Sequence, residues 1–132
     1  MMLEEALYSY LTGDVGLSAL IGTRLYPDLF PENVALPAIC YQRISTAPTH
    51  SRDDGPKLCM TRFQFDVLGA DAKGVRQTVI ALEAALNGFK GITDPRVDAT
   101  FLDNDGAQYE NQTEYHKVTV DALIQYLEAF GA

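Results

Sequence analysis

The chain has 132 residues and a mass of 14.5 kDa, which is one domain's worth of sequence, because domains most often contain about 100 to 150 residues. A composition of 47% hydrophobic and 21% charged residues is typical of a soluble globular protein and excludes a disordered, charge-rich chain. Eighteen acidic and ten basic residues leave a net charge of −8, which argues against sequence-specific binding of nucleic acid, since affinity for phosphates needs clustered Lys and Arg. We therefore expect a single domain over residues 1–132.

The sequence predicts neither export nor a membrane segment. Glu4 and Glu5 stand where a signal peptide would have a basic start and an apolar run, and no stretch approaches the roughly 18 apolar residues of a membrane span. Cys40 and Cys59 form no C-x-x-C pair and no cluster with His, which favours two reduced thiols packed as small hydrophobes. The expected compartment is the cytoplasm in which the chain is made.

The first forty residues predict a broken helix and an irregular segment. Apolar residues recur at helical spacing over residues 3–11, and Asp14 is placed to cap a second short helix that Gly22 ends. Leu25 and Tyr26 form a brief extended piece before Pro27. Residues 31–37 begin and end with proline, which predicts an irregular segment at the surface.

Two strands and a long loop follow. Residues 38–45 predict a strand with Ile39 and Tyr41 on one face, and residues 62–67 predict a second strand, in which alternation with polar residues indicates one buried face. Residues 46–57 between them are polar and contain two prolines and a glycine. This segment is too long for a tight hairpin turn, and long loops in compact domains are usually functional or disordered.

The second half predicts one helix and two strands. Asp71 stands at the N-cap of an amphipathic helix that Gly88 is placed to end. Val97, Ala99 and Phe101 then alternate with polar residues as in a strand, which should run into a turn at residues 103–106. The last strand should span residues 114–127. Together these elements predict an α+β domain, with a mostly antiparallel sheet of about four to five strands and two amphipathic helices packed on one face. The strands carry apolar residues on both faces, which indicates burial of the second face against a neighbouring subunit.

No constellation of side chains predicts catalysis, a cofactor or a metal. The chain has no G-x-S-x-G elbow and no P-loop, and His50 and His116 have no partner His or Cys nearby in the sequence. Residues 103–106 begin like a calcium loop, but the glycine comes fourth instead of sixth. The sequence therefore favours a binding or structural role over an enzymatic one.

The ordered motifs of the chain resemble those of the tail-completion proteins of long-tailed phages and prophages, a family of tail-terminator or tail-to-head joining proteins like the lambda tail terminator. The resemblance runs from about residue 3 to residue 126 and is carried by residues 25–27, 36–42 and 62–67, the Asp71 helix, Tyr109 with Glu110, and the strand around Asp121.

This resemblance implies a virion structural protein with no catalytic activity. Such proteins form a ring, usually a hexamer, that caps the head-proximal end of the tail tube, stops its polymerisation and joins the tail to the head connector. The implied partners are further copies of the chain, the tail tube protein and the connector protein. The implied location is the virion tail, assembled in the cytoplasm of the host bacterium. A ring of six chains would carry six times the charge of −8, which would let DNA pass without adhering.

The candidate residues for the assembly loop and the channel are polar side chains of the two predicted irregular segments: His50, Arg52, Asp53, Asp54, Lys57, Asp103 and Asp105. We expect Asp53, Asp54, Asp103 or Asp105 to line the channel. Two alternatives stay open at this point. One is another head-tail joining component, such as a head-closure or minor tail protein. The other is a small cytosolic enzyme or ligand-binding protein. A deep pocket that brings His50 or His116 together with carboxylates would favour this second alternative.

Overall fold

The computed structural model describes residues 2–48, 57–90, 92–93, 96–110 and 115–128. Within these residues three helices and six strands occur in the order α1 (Leu3–Gly13), α2 (Val15–Ile21), β1 (Leu25–Pro27), β2 (Ala38–Pro48), β3 (Lys57–Gly69), α3 (Ala72–Asn87), β4 (Ile92–Thr93), β5 (Arg96–Glu110) and β6 (Tyr115–Glu128). The strands form one sheet in the order β1-β2-β3-β6-β5-β4. Only β1 and β2 pair in parallel; the other neighbours are antiparallel. The predicted α+β fold with a mostly antiparallel sheet is confirmed, and the short strands β1 and β4 extend it to six.

Two aspartates start helices as predicted. The Asp14 carboxylate accepts a hydrogen bond from the amide of Leu17 at 2.9 Å, and the Asp71 carboxylate accepts one from the amide of Gly74 at 2.6 Å. Each bond satisfies an amide that the first turn of a helix leaves without a backbone partner. Because the caps fix where α2 and α3 begin, they also fix which faces of these helices meet the sheet.

The helices bury one face of the sheet. The alternating residues of β3 and β6 that point toward the helices are almost fully buried, and they form one cluster with the apolar stripes of α1 and α3: Leu7, Leu11, Phe63, Phe65, Val67, Leu82, Leu86, Val118, Val120, Ala122, Ile124 and Tyr126. Burying one such Leu or Phe side chain contributes about 1.5 to 3 kcal/mol. The buried faces predicted for the second and the last strand are therefore confirmed.

Strand β5 differs from its prediction in two ways. A bulge between Val97 and Ala99 inserts one residue into the pairing with β6, so that Val97 is 1% exposed while Phe101 is 49% exposed. The expected common face for these three residues is wrong, because one extra residue reverses the alternation that follows it. A second bulge lies between Leu102 and Asn104, and β5 continues through residues 103–106 in its pairing with β6. The predicted turn there is wrong as well, since pairing with β6 outweighs the local preference of Asp, Asn and Gly for turns.

The long connection between β2 and β3 is shorter than predicted. Strand β2 continues to Pro48 and β3 begins at Lys57, with Pro48 opposite Cys59 in the register. The ends of the predicted loop, residues 46–48 and 57, thus belong to an antiparallel pair of strands. The pairing also contains a bulge between Arg43 and Ser45.

Arg43 attaches the first helix to the sheet. Its guanidinium lies on the helix-covered face of β2 and contacts the Glu4 carboxylate of α1 at 2.6 Å. It also lies 5.7 Å from the ring centroids of Phe63 and Tyr126, close enough for a favourable interaction between a cation and an aromatic ring.

Candidate functional site: the open face and the edges of the sheet

The second face of the sheet carries none of the described helices, and we call it the open face. Because side chains alternate along a strand, the neighbours of the buried Phe63 and Phe65 point to this side. The register aligns these residues across β2, β3, β6 and β5, and most of them are half-buried: Gln42, Ser45, Ala47, Met60, Arg62, Gln64, Asp66, Ala99, Phe101, Lys117, Thr119, Asp121, Leu123 and Gln125. The open face therefore joins polar and apolar side chains in one surface.

An ion-pair cluster occupies the middle of the open face. A terminal nitrogen of Arg62 lies 2.6 Å from the carboxylate of Asp103 and 3.9 Å from that of Asp121. The hydrogen bond from Arg62 to Asp103 raises the pKa of the arginine, and the charges of both carboxylates act in the same direction. Three strands, β3, β5 and β6, are thus connected by one cation that faces two anions.

Apolar side chains flank this cluster. Phe101 lies in the same register row as Leu123 and Arg62 and is 49% exposed, while Ile44, at the β2 bulge, is 46% exposed. Aromatic residues are enriched at protein–protein interfaces, and Phe101 supplies one on this face. This part of the expected second apolar surface stays uncovered by the described residues.

The chain itself covers the end of the open face that contains Cys40 and Leu68. The irregular segment after β1 turns back over the sheet, where the amide of Asp28 donates to the carbonyl of Tyr41 at 2.9 Å. Residues of this segment and of the sheet, Cys40 and Leu68 among them, line a pocket of about 330 Å³. Cys40 and Leu68 are buried although they lie on the open face. These two apolar residues of the open face are therefore buried without a neighbouring subunit.

The edges of the sheet are only partly paired. As far as the described residues show, β1 pairs with residues 39–41 of β2, and β4 pairs with Arg96 and Val97 of β5. Among the described residues, no strand pairs with the outer edge of residues 42–48 in β2 or of residues 98–110 in β5. Unpaired edges offer backbone amides and carbonyls to another chain.

The structure brings one predicted candidate residue into a described contact. Asp103 lies at the second bulge of β5 and pairs with Arg62. Asp105 lies opposite Val120 in the register, and Lys57 opens β3 opposite Glu128. His50, Arg52, Asp53 and Asp54 lie outside the described residues. The sequence reasoning missed Arg62, Asp121 and Phe101 as a group, because only the register between strands distant in sequence unites them.

The geometry also bears on the enzymatic alternative. Charged groups from Asp28, Asp66 and Lys117 line the pocket described above, and His116 is absent from its described lining. Cys40 and Cys59 are buried and form no disulfide, as predicted. Burial, followed by the charges of Asp66 and Asp28, raises the pKa of Cys40 to about 11, so that the thiolate a nucleophile needs is scarce at neutral pH.

Neither a metal cluster nor a membrane helix is found in the described part of the chain. No group of three or more His, Cys, Asp or Glu side chains is arranged there to hold a metal ion. None of the helices described is long and apolar enough to cross a membrane.

Comparisons with known proteins give a family. A chain from the virion of a native gene transfer agent particle has a similar structure, with a TM-score of 0.75 and 18% sequence identity over 95% of this chain and 94% of that chain. At this identity the likeness shows the fold. No curated protein sequence matches the chain. The family described as "Tail completion protein gp17" matches residues 5–126. Since the match covers nearly all of the six strands and three helices, the chain belongs to the tail completion protein gp17 family.

Proposed function

We propose that this protein caps the head-proximal end of a phage tail tube as a ring of identical copies, and that the ring is a hexamer. The ring occupies the growing end of the tube, stops its polymerisation and presents to the head connector a surface that the tube lacks. One face of the ring matches the tube and the other matches the connector, so that the protein works by differential complementarity without making or breaking a covalent bond.

The family match over residues 5–126 carries this proposal. The open face and the uncovered strand edges support it. Each copy has a partly apolar surface in the middle of the sheet and unpaired backbone groups at both edges, through which it can bind other chains. The proposed partners are other copies of the chain, the tail tube protein and the connector protein. The proposed location is the virion tail, after assembly in the host cytoplasm.

The channel of this ring is proposed to be acidic. Asp53, Asp54 and Asp103 remain the candidates for its lining, whereas Asp105 lies opposite Val120 in the register, a residue of the helix-covered face. Asp103 contributes less net charge than the sequence suggests, because Arg62 lies 2.6 Å from its carboxylate. Repulsion between the other carboxylates and the phosphates would keep DNA from adhering during passage.

The proposal is tested by deleting the gene in the phage or prophage that encodes it and examining the particles by negative-stain electron microscopy. We expect tails that are overlong or not joined to heads, and recovery of joined tails when the gene is supplied from a plasmid. Normal tails attached to filled heads would contradict the proposal. Heads that have lost their DNA, beside tails of normal length, would instead support a head-closure function.

A further inference from the structure

We propose that neighbouring copies of this chain pair edge to edge, with residues 42–48 of β2 in one copy hydrogen-bonded to residues 105–110 of β5 in the next. A single continuous sheet then closes the ring. This inference rests on the proposed ring and names the surfaces by which its copies meet. Pairing through backbone groups at a sheet edge is a common mode of protein recognition.

The uncovered edge of β2 fits along the last part of the longer uncovered edge of β5. In the described part of the chain, β1 leaves residues 42–48 of β2 uncovered, and the bulge between Arg43 and Ser45 removes one residue from regular pairing. Six residues remain to pair. The stretch of β5 beyond its second bulge pairs regularly with β6 up to Glu110 and has no described strand on its outer side. Its last part, residues 105–110, also offers six.

The direction of the strands fits an antiparallel pair. Along the sheet, β2, β3, β6 and β5 are successively antiparallel, so β5 runs opposite to β2. A second copy placed beside β5 with its sheet in the same orientation presents a β2 that is antiparallel to β5. The alternation of up and down strands therefore continues from one copy into the next.

The outward backbone groups also match. Two backbone groups of β2 point outward, away from β3: the amide of Ile39 donates to the carbonyl of Arg24 at 3.0 Å, and the carbonyl of Tyr41 accepts from the amide of Asp28 at 2.9 Å. Ile39 and Tyr41 both belong to the helix-covered face. The outward groups of β2 are therefore those of helix-face residues. Outward and inward groups alternate along antiparallel strands. Counting across the four strands places the outward groups of β5 on residues 105, 107 and 109. Both edges thus pair through helix-face residues, which keeps the helices of both copies on one side.

The short strand β1 limits the register. It occupies the outer edge of β2 up to Tyr41, so the β5 strand of a neighbour has to end before that point. With Gln42 opposite Glu110, Arg43 faces Tyr109, and beyond the bulge Ser45 faces Gln108 and Thr46 faces Ala107. Strand β4 does not interfere, because it covers only Arg96 and Val97 at the far end of β5.

This register produces the stagger of a closed barrel. Within one copy, Gln42 shares a register row with Asn104, so pairing it with Glu110 shifts the next copy by six residues. That shift moves the next copy by about 20 Å along the strands, while the four strands of one copy extend about 19 Å across the sheet. The strands would then tilt by about 45°, at the upper end of the tilt of about 35–45° in closed barrels. A shift of this size closes a ring when the strands tilt by the same amount.

A disulfide between copies tests the register. In the proposed pair, Ser45 and Gln108 of neighbouring copies are opposite each other without direct hydrogen bonds, at a Cα separation of about 4.5 Å that a disulfide can span. We expect the full-length Ser45→Cys/Gln108→Cys variant, oxidised after assembly, to give a ladder of covalent multimers on a non-reducing gel. Within one copy these positions are three strand spacings, about 14 Å, apart across the sheet and about 20 Å apart along the strands. The control is Ser45→Cys/Asn104→Cys, whose second cysteine lies about 13 Å further along β5 and should give no ladder.

Native mass spectrometry of the unmodified chain, alone and with purified tail tubes, separates the two possible failures. Rings that form without the Ser45–Gln108 link would overturn the edge pairing and leave the proposed cap intact. A chain that forms no ring in either sample contradicts both. Substituting Ala107→Pro adds an independent test, because it removes an outward amide that no described residue uses, whereas Ala107→Val keeps it. We expect only the proline variant to lose ring formation; a folded Ala107→Pro protein that assembles normally would overturn the inference.

Discussion

Arg43 of β2 and Glu4 of α1 are joined through a nitrogen and an oxygen 2.6 Å apart, and the other terminal nitrogen of Arg43 donates to the hydroxyl groups of Tyr126 at 3.1 Å and Thr46 at 3.2 Å. Burial alone would lower the pKa of Arg43, but the hydrogen bonds with Tyr126 and Glu4 outweigh it and raise the pKa. One side chain therefore connects the first helix with both β2 and β6.

Replacing Arg43 by Met should lower the free energy of unfolding by about 1 to 3 kcal/mol, because the Tyr126 and Thr46 hydroxyl groups lose a charged donor. Glu4→Gln should cost less than about 1 kcal/mol, since the pair is partly exposed. Urea unfolding of each variant and of the double variant measures both values. Glu5→Gln on the exposed side of α1 is the control and should be nearly neutral. Equal losses for Glu4→Gln and Arg43→Met would show that the helix contact dominates.

Gly69→Ala should destabilise the fold. A Cβ atom at Gly69 would lie 2.8 to 2.9 Å from the backbone and Cβ atoms of Val75 in α3, which cannot move without shifting the helix. Overpacking of this kind typically costs about 1 to 3 kcal/mol. The control is Gly13→Ala at the end of α1, where a Cβ meets nothing within 4 Å and should stabilise by up to about 1 kcal/mol. Thermal unfolding followed by circular dichroism compares the two; a neutral Gly69→Ala would contradict the close approach.

Asp71→Ala should lower stability by about 1 kcal/mol, because the Gly74 amide loses the 2.6 Å bond that caps α3. Asp71→Asn and Asp71→Ser keep an oxygen at that position and should retain most of the stability. Chemical unfolding curves of the three variants provide the test. If all three lose the same amount, the carboxylate charge rather than the cap is responsible.

The buried Cys40 thiol should make the protein less stable at alkaline pH. Its pKa is raised from 9.0 to about 11 in the folded protein, so between these values the unfolded chain loses the proton while the folded chain keeps it. The contribution is fully present below about pH 9 and is lost as the pH rises toward 11, by at most about 3 kcal/mol. The difference between the wild type and Cys40→Ala, followed from pH 8 to pH 11, isolates this contribution from those of the tyrosines. Parallel pH curves for the two proteins would contradict it.

Local signals were sufficient to predict the helices and most strands. The caps at Asp14 and Asp71 and the alternation around Phe63 depend on residues within one turn or one strand, and the structure confirms them. The errors concern β5, where bulges reverse the face of Phe101 and continue the strand through the expected turn. A bulge is decided by the partner strand, and nothing in residues 96–106 alone indicates it.

The candidate site was less predictable for a related reason. Arg62 and Asp103 are 41 residues apart in the sequence, and they meet because β6 places β3 and β5 on either side of itself. The uncovered edges likewise depend on how few residues β1 and β4 pair. The sequence predicts that strands exist, but the order of the strands in the sheet decides which polar groups meet and which edges stay free.

The ion pairs of Arg62 have a further consequence for a ring of these chains. In a ring whose open face points to the lumen, this cluster would meet the DNA that passes. A duplex adheres to protein largely by releasing its condensed counterions in exchange for Lys and Arg side chains. Because Arg62 already faces the carboxylates of Asp103 and Asp121, these three side chains together offer no net positive charge in that exchange. DNA would therefore retain its own ion atmosphere along this wall.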